Sequence, residues 1–188
     1  YINVVNSGDI NYNATTEVDK KVGARVGGIS GTISGGANNN KCVFENCTNT
    51  GDITVHSTDC DVDNYCAGIC PVFYGGLTNC VNRGNVKISG TCVTAYLSGL
   101  VAYVNNGDTV KYKWTGCANH GKISYETATI ENKMHLGGLG ARIVNVGIDD
   151  CHNYGELYAS TDSSFRFINC GGIAAYLEAQ TADEVLHM

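Results

Sequence analysis

One seven-residue pattern recurs five times along this chain and leaves few folds open to it. It reads an apolar residue or cysteine, any residue, asparagine, any residue, glycine, a polar residue and an aliphatic residue. The copies begin as Val4-Val5-Asn6-Ser7-Gly8-Asp9-Ile10 and Cys47-Thr48-Asn49-Thr50-Gly51-Asp52-Ile53. They continue as Cys80-Val81-Asn82-Arg83-Gly84-Asn85-Val86, Cys117-Ala118-Asn119-His120-Gly121-Lys122-Ile123 and Cys151-His152-Asn153-Tyr154-Gly155-Glu156-Leu157. The motif glycines at 8, 51, 84, 121 and 155 stand 43, 33, 37 and 34 residues apart. Self-similarity at such a period marks a repeat architecture, in which each unit buries its apolar face only against its neighbours.

A second motif alternates with the first, centred on Val26-Gly27-Gly28-Ile29, Cys66-Ala67-Gly68-Ile69, Leu97-Ser98-Gly99-Leu100, Leu136-Gly137-Gly138-Leu139 and Cys170-Gly171-Gly172-Ile173. Residues two and four past each motif glycine form the apolar-rich sets Ile10/Ile53/Val86/Ile123/Leu157 and Tyr12/Val55/Ile88/Tyr125/Ala159. A spacing of two puts both side chains on one face of a strand. Helical repeats of similar period need a 3.6-residue apolar stripe, and none is present. With 24 Gly, 20 Asn and 1 Pro in 188 residues, the composition favours short strands joined by tight turns. The expected fold is all-β: a single-domain, right-handed parallel β-solenoid of about five coils. Residues 1–188 form one repeat domain, with 1–25 and 179–188 as capping segments.

Stacking dictates chemistry at each position. Inward files must be apolar or mutually hydrogen-bonded. Asn6, Asn49, Asn82, Asn119 and Asn153 are expected to form a ladder, each amide donating to the next coil and accepting from a backbone N–H. The motif glycine is expected to supply a positive φ at the corner. Cys47, Cys80, Cys117 and Cys151 share one file with Val4, and Cys66 and Cys170 share another with Val26, Leu97 and Leu136. These are read as reduced core thiols acting as small hydrophobes, since stacked side chains point in parallel. Cys42, Cys60 and Cys92 fall outside these files, which leaves a Cys60–Cys92 bridge between neighbouring coils as an option.

Candidate chemistry is sparse. Asp59, Asp61 and Asp63 have the spacing of the first ligands of a calcium loop, without the acidic twelfth position; no other cofactor is expected. His56, Cys60, Cys66 and Cys70 match no zinc-knuckle spacing. Asp149, Asp150, His152 and Arg142 form the nearest approach to an acid–base cluster, but the two aspartates fall at turn positions. Tyr74, Tyr103, Tyr154 and Tyr176 are candidate exposed aromatics. Asn13 and Asn46 satisfy the glycosylation sequon, which matters in a eukaryotic source. A net charge of −6 argues against nucleic acid, and no apolar run approaches the roughly 20 residues of a membrane span. The chain opens on Tyr1 with no leader-like segment and is read as a processed product or fragment.

With these motifs laid out, the chain resembles the GLUG-motif repeats of long bacterial surface and secreted proteins. The resemblance rests on Gly28-Ile29-Ser30-Gly31, Gly99-Leu100, Gly138-Leu139-Gly140 and Gly172-Ile173, and it covers roughly residues 1–178. It implies a non-catalytic structural or adhesive module, extracellular or on the cell surface. The partners it implies are a protein or glycan surface ligand, or end-to-end copies of itself. Segments 34–43, 56–64 and 105–113 are the variable loops expected to carry recognition. The alternative is a carbohydrate-binding or carbohydrate-active β-helix of lyase or hydrolase type, which needs carboxylates converging from different coils.

Overall fold

A computed structural model of the chain describes residues 1–15, 23–33, 42–60, 62–106, 112–161 and 167–178. Every regular element among them is a strand and every pairing is parallel. The first coil holds β1 (Val5–Asn6), β2 (Ile10–Thr15) and β3 (Arg25–Gly27). The second holds β4 (Cys42–Glu45), β5 (Thr48–Asn49), β6 (Ile53–Cys60), β7 (Asn64–Ala67) and β8 (Cys70–Val72). In the third are β9 (Gly75–Thr78), β10 (Val81–Asn82), β11 (Val86–Ser98) and β12 (Val101–Asn105). The fourth repeats this order as β13 (Tyr112–Thr115), β14 (Ala118–Asn119), β15 (Ile123–Gly137) and β16 (Gly140–Val144). The last comprises β17 (Val146–Asp149), β18 (His152–Asn153), β19 (Leu157–Thr161), β20 (Phe167–Gly171) and β21 (Ala174–Glu178).

Equivalent strands pair coil to coil and make four sheets running along the stack. One is β1-β5-β10-β14-β18; opposite lie β8-β12-β16-β21 and β4-β9-β13-β17. The widest takes β2-β6-β11-β15-β19 on its first half and β3-β7-β11-β15-β20 on its second. The fold is a parallel β-solenoid. The expected count of about five coils becomes about three enclosed turns. Among the described residues, the first coil joins two of the sheets only through the bridges Ile2–Glu45 and Ile33–Phe73, and no strand pairs with the far side of the last coil. Register shifts at Ser89/Thr91 and Cys92/Thr94 absorb the unequal lengths of β11 and β15.

The interior is divided into two lobes. Phe44, Phe73, Leu77, Leu100, Trp114 and Ile143 anchor one, and Ile53, Ile88, Leu97, Ile123, Tyr125 and Leu136 the other. Between them the two sequence motifs meet: a Cβ added to Gly68 or Gly99 would lie 2.2 Å from the Asn82 or Asn119 amide carbon. Glycine is therefore required there by contact with the asparagine of the next coil.

The motif glycines have a different reason from the one expected. Gly51, Gly84, Gly121 and Gly155 do not have positive φ; a Cβ on them would sit 1.9–2.1 Å from the carbonyl oxygen of the glycine one coil below. Left-handed geometry belongs instead to the residue before the first position of each seven-residue motif. Asn3, Asn46, Asn79 and Asp150 have φ of 57°, 52°, 51° and 49°, and Gly116 has 64°. Asparagine, aspartate and glycine are the residues that tolerate this conformation.

Other expectations shift as well. Residues 56–60 belong to strand β6 and are not loop, and residues 1–15 pair in register with the second coil. Segments 34–41, 107–111 and 179–188 lie outside the described residues. No helix among the described residues is long and apolar enough to cross a membrane.

Candidate functional site

The asparagine file is continuous. Asn6 Nδ2 donates to Asn49 Oδ1 at 2.7 Å, Asn49 to Asn82 at 2.9 Å, Asn82 to Asn119 at 2.8 Å and Asn119 to Asn153 at 2.8 Å. Each Nδ2 also donates to the carbonyl of its own motif glycine, at 2.7–3.0 Å. Asn49, Asn82 and Asn119 are fully buried, so these bonds satisfy groups that water cannot reach. A second file on the outside was missed in sequence: Asn46 Nδ2 donates to Asn3 Oδ1 at 3.0 Å, and Asn79 to Asn46 at 3.3 Å. Asn46, the sequon residue, thus takes part in a corner ladder, while Asn13 stands exposed on β2.

The cysteine file is equally regular. Cys80 N–H donates to Cys117 Sγ and Cys117 N–H to Cys151 Sγ, both at 3.4 Å. Cys47, Cys80 and Cys117 are buried and Cys151 is half-exposed at the open end. The hydrogen bond from the Cys117 thiol stabilises the Cys151 thiolate and lowers that thiol to about 7, while Cys117 itself is pushed up by its bonds to Cys151 and Cys80 and by burial. Cys92 is buried, with Sγ 3.2 Å from Tyr125 Oη. It pairs in register with Cys60, whose side chain lies outside the described residues. Cys170 occupies its expected file, in register with Leu136, but is exposed.

Among the described residues, those weighed for zinc or acid–base chemistry do not converge. The side chain of Asp59 and all of Asp61 lie outside the described residues, and Asp63 accepts a hydrogen bond from Tyr65 Oη at 3.2 Å. His56 lies outward with Nδ1 3.0 Å from Ser89 Oγ, whereas Cys66 and Cys70 are buried in different lobes. No group of three potential ligands occurs among the described residues. Asp149 pairs with Lys113 at 2.7 Å and Asp150 with His152 at 3.1 Å, both on the surface. Arg142 is elsewhere, 3.8 Å from Glu178.

The most site-like arrangement lies where the chain turns from the wide sheet into β8-β12-β16-β21. Tyr65, Tyr96 and His135 stack face to face, with centroids 4.8 Å apart at each step and ring planes within 3°. Facing them, Arg142 lies between Tyr103 and Tyr176, its guanidinium carbon 5.5 and 5.3 Å from the two ring centroids. The files meet edge to face: Tyr103 is 5.9 and 6.0 Å from Tyr65 and Tyr96, and Tyr176 is 6.5 Å from His135. Small residues beneath, Ala67, Ala102 and Ala141, let the rings settle against the backbone. Burial first, then the charges of Lys133 and Arg142, lowers His135 to about 4. Tyr65 is pushed up by burial and then by Asp63.

Of the aromatics singled out in sequence, Tyr103 and Tyr176 belong to this corner, while Tyr154 stacks on His120 at 4.8 Å on a separate face. Tyr65, Tyr96 and His135 went unnoticed, although the residue before each second motif (Arg25, Tyr65, Tyr96, His135, Asn169) reads as one file once aligned. An open concavity of about 260 Å³ also lies at the end of the last coil, lined by Ile148, Asp150, Cys151, His152 and Ile173. No protein-family model, curated protein or solved structure matches this chain.

Proposed function

We propose that this chain is a non-catalytic structural and adhesive module of an extracellular or cell-surface protein of the GLUG-repeat kind, which holds a glycan or protein ligand against its outer aromatic corner. The observation that carries this reading is the pre-ordering of that corner. Tyr103, Arg142 and Tyr176 are held by one another and by the stacked Tyr65–Tyr96–His135 file behind them. Groups already fixed lose little rotamer freedom on binding, and amphipathic rings with a cation suit both sugar hydroxyls and protein surfaces. Surface location is supported by the resemblance of the repeats; the buried thiols suit it because oxidants do not reach them.

The experiment is a glycan and extracellular-protein array probed with the wild-type chain and with Tyr176→Ala and Arg142→Ala. A ligand class bound by the wild type and weakened at least about tenfold, roughly 1.4 kcal/mol, by both substitutions is the expected outcome. Equal binding by all three proteins would move the ligand off this corner. Incubation with uronic-acid polymers is expected to release no unsaturated product, and release would favour the carbohydrate-active alternative.

A further inference from the structure

Stacking at the aromatic corner uses up ring faces. Tyr96 is covered by Tyr65 on one side and by His135 on the other, at 4.8 Å each, and Arg25 lies 5.6 Å over Tyr65. Arg142 is gripped in the same manner by Tyr103 and Tyr176. A guanidinium with a ring on each side is already positioned before any ligand arrives, and its N–H donors form a rigid fork that matches a carboxylate.

Those donors are unspent. Among the described residues Arg142 makes no hydrogen bond, although its side chain is 31% exposed. Glu178 Oε2 stands 3.8 Å from Nη2, beyond the roughly 2.7–2.9 Å of a charge-assisted bond, and accepts from Tyr176 Oη at 3.1 Å. Surface lysines elsewhere are closely paired: Lys113 and Lys122 meet Asp149 and Glu156 at 2.7 and 3.2 Å. The Tyr96 and Tyr103 hydroxyls also lack a partner among the described residues, and neither is a buried orphan. Arg25, Lys133 and Arg142 outweigh Asp63 and Glu178 around this corner, on a chain whose net charge is −6. His135 adds no charge at neutral pH, since burial keeps it unprotonated.

On the reading that this corner is the binding site, we propose that its ligand is a glycan carrying a carboxylate: a uronic-acid unit whose carboxyl oxygens take the Arg142 N–H donors while adjoining sugar hydroxyls meet those of Tyr96 and Tyr103. A protein hot spot buries apolar ring faces in a desolvated pocket, and here Tyr96 has no face left to give. What remains is polar, an unpaired planar cation beside free hydroxyls, which is the complement of an acidic sugar. Asp63, Glu178 and the negative chain repel a dense polyanion, so single carboxylates set between neutral sugars suit the corner better than closely spaced sulfates. Glu178 is a built-in competitor, because an incoming carboxylate must share Arg142 with it.

The test is calorimetric titration of the chain near pH 7 with an oligosaccharide of alternating glucuronic acid and N-acetylglucosamine. The same oligosaccharide with its carboxyl groups reduced to hydroxymethyl, and a glutamate-rich peptide, serve as the comparison probes. The wild type is expected to bind the acid form and to lose at least about tenfold in affinity for the reduced form, the worth of a hydrogen bond to a charged group. Arg142→Gln should lose as much, whereas Glu178→Gln should bind about two- to fivefold more tightly, as removal of one exposed like charge allows. Lys113→Gln, which makes the same charge change on another face, should bind as the wild type does. No binding of the acid form, or equal binding of the acid and reduced forms, overturns the inference, and this comparison needs no variant to fold. A loss in Lys113→Gln equal to that in Arg142→Gln overturns it too, as unspecific charge attraction, and so does Arg142-dependent binding of the peptide in preference to the sugar. If the inference fails while some neutral glycan or protein still binds in a manner dependent on Arg142 and Tyr176, the corner remains the binding site; if nothing bound depends on them, both fall.

Discussion

At the scale of single residues, the same side chain has different worth in the middle of the stack and at its ends. Asn82 donates to Asn119 and to the Gly84 carbonyl and accepts from Asn49, all without access to water. Truncating it strands the Asn49 amide hydrogen and the Gly84 carbonyl, at about 1–3 kcal/mol for each buried group left unpaired. Asn82→Ala is therefore expected to cost about 2–5 kcal/mol in denaturant unfolding. Asn6→Ala, in the same file but at the open end, should cost about 1 kcal/mol or less because water replaces what is lost. Equal losses at the two sites would remove the ladder as a source of stability. The cysteines divide along the same line. A pulse of iodoacetamide on the native protein near pH 7 should modify Cys151 faster than Cys170, since the first thiol is lowered to about 7 and the second is raised by burial. Cys70, pushed up to about 12 by burial, should react only on unfolding, and labelling of Cys170 ahead of Cys151 would contradict the thiol file.

At the scale of elements, the aromatic corner couples strand register to pH. His135 is stacked on Tyr96, lies 3.2 Å from the Asn169 amide, and is faced by Lys133, Arg142 and Asp63. Its ring takes a proton near 6.5 when free and only near 4 in the fold, so the unfolded chain binds more protons between these values. The stabilising contribution is complete above about pH 6.5 and is lost progressively as pH falls towards 4. His135→Tyr keeps a stacking ring of the kind already present at Tyr65 and Tyr96 and removes the titration. Its unfolding midpoint should fall less than that of the wild type between pH 6.5 and 4, and parallel curves would show that His135 does not titrate abnormally. This corner was hard to read in sequence because its members differ in type. Tyr, Tyr, His and Asn share a position without sharing a chemistry, whereas the Asn and Cys files declare themselves by identity. The left-handed corner residues were visible as a turn, but positive φ was assigned to the glycine five residues downstream, because close backbone approach and left-handed geometry both select glycine and a single sequence does not separate them.

At the scale of the whole molecule, the solenoid is a one-dimensional stack in which each coil is stabilised only by its neighbours. End coils with partly buried cores should loosen before the middle ones. Trp114, the only tryptophan, is fully buried in a coil covered on both sides, with Nε1 donating to the Gly75 carbonyl at 3.3 Å. Loss of far-ultraviolet β signal is therefore expected at lower denaturant than the red shift of Trp114 emission. Coincident transitions would mean that the stack unfolds as one unit. Architecture was legible because repetition fixes register. The aligned glycines, asparagines and apolar residues specify which strand lies on which, and the pairs Asn6–Asn49, Asn49–Asn82, Asn82–Asn119 and Asn119–Asn153 are those the spacing demands. Function was less legible, because repetition constrains the inside of the coil and leaves the outside free to vary. The most direct test of the stack is a nuclear Overhauser experiment on the side-chain amides of an asparagine-labelled sample. Contacts should link residues 6, 49, 82, 119 and 153 in that order, neighbour to neighbour. Contacts that skip a member, or buried asparagine amides with no asparagine neighbour, would contradict it.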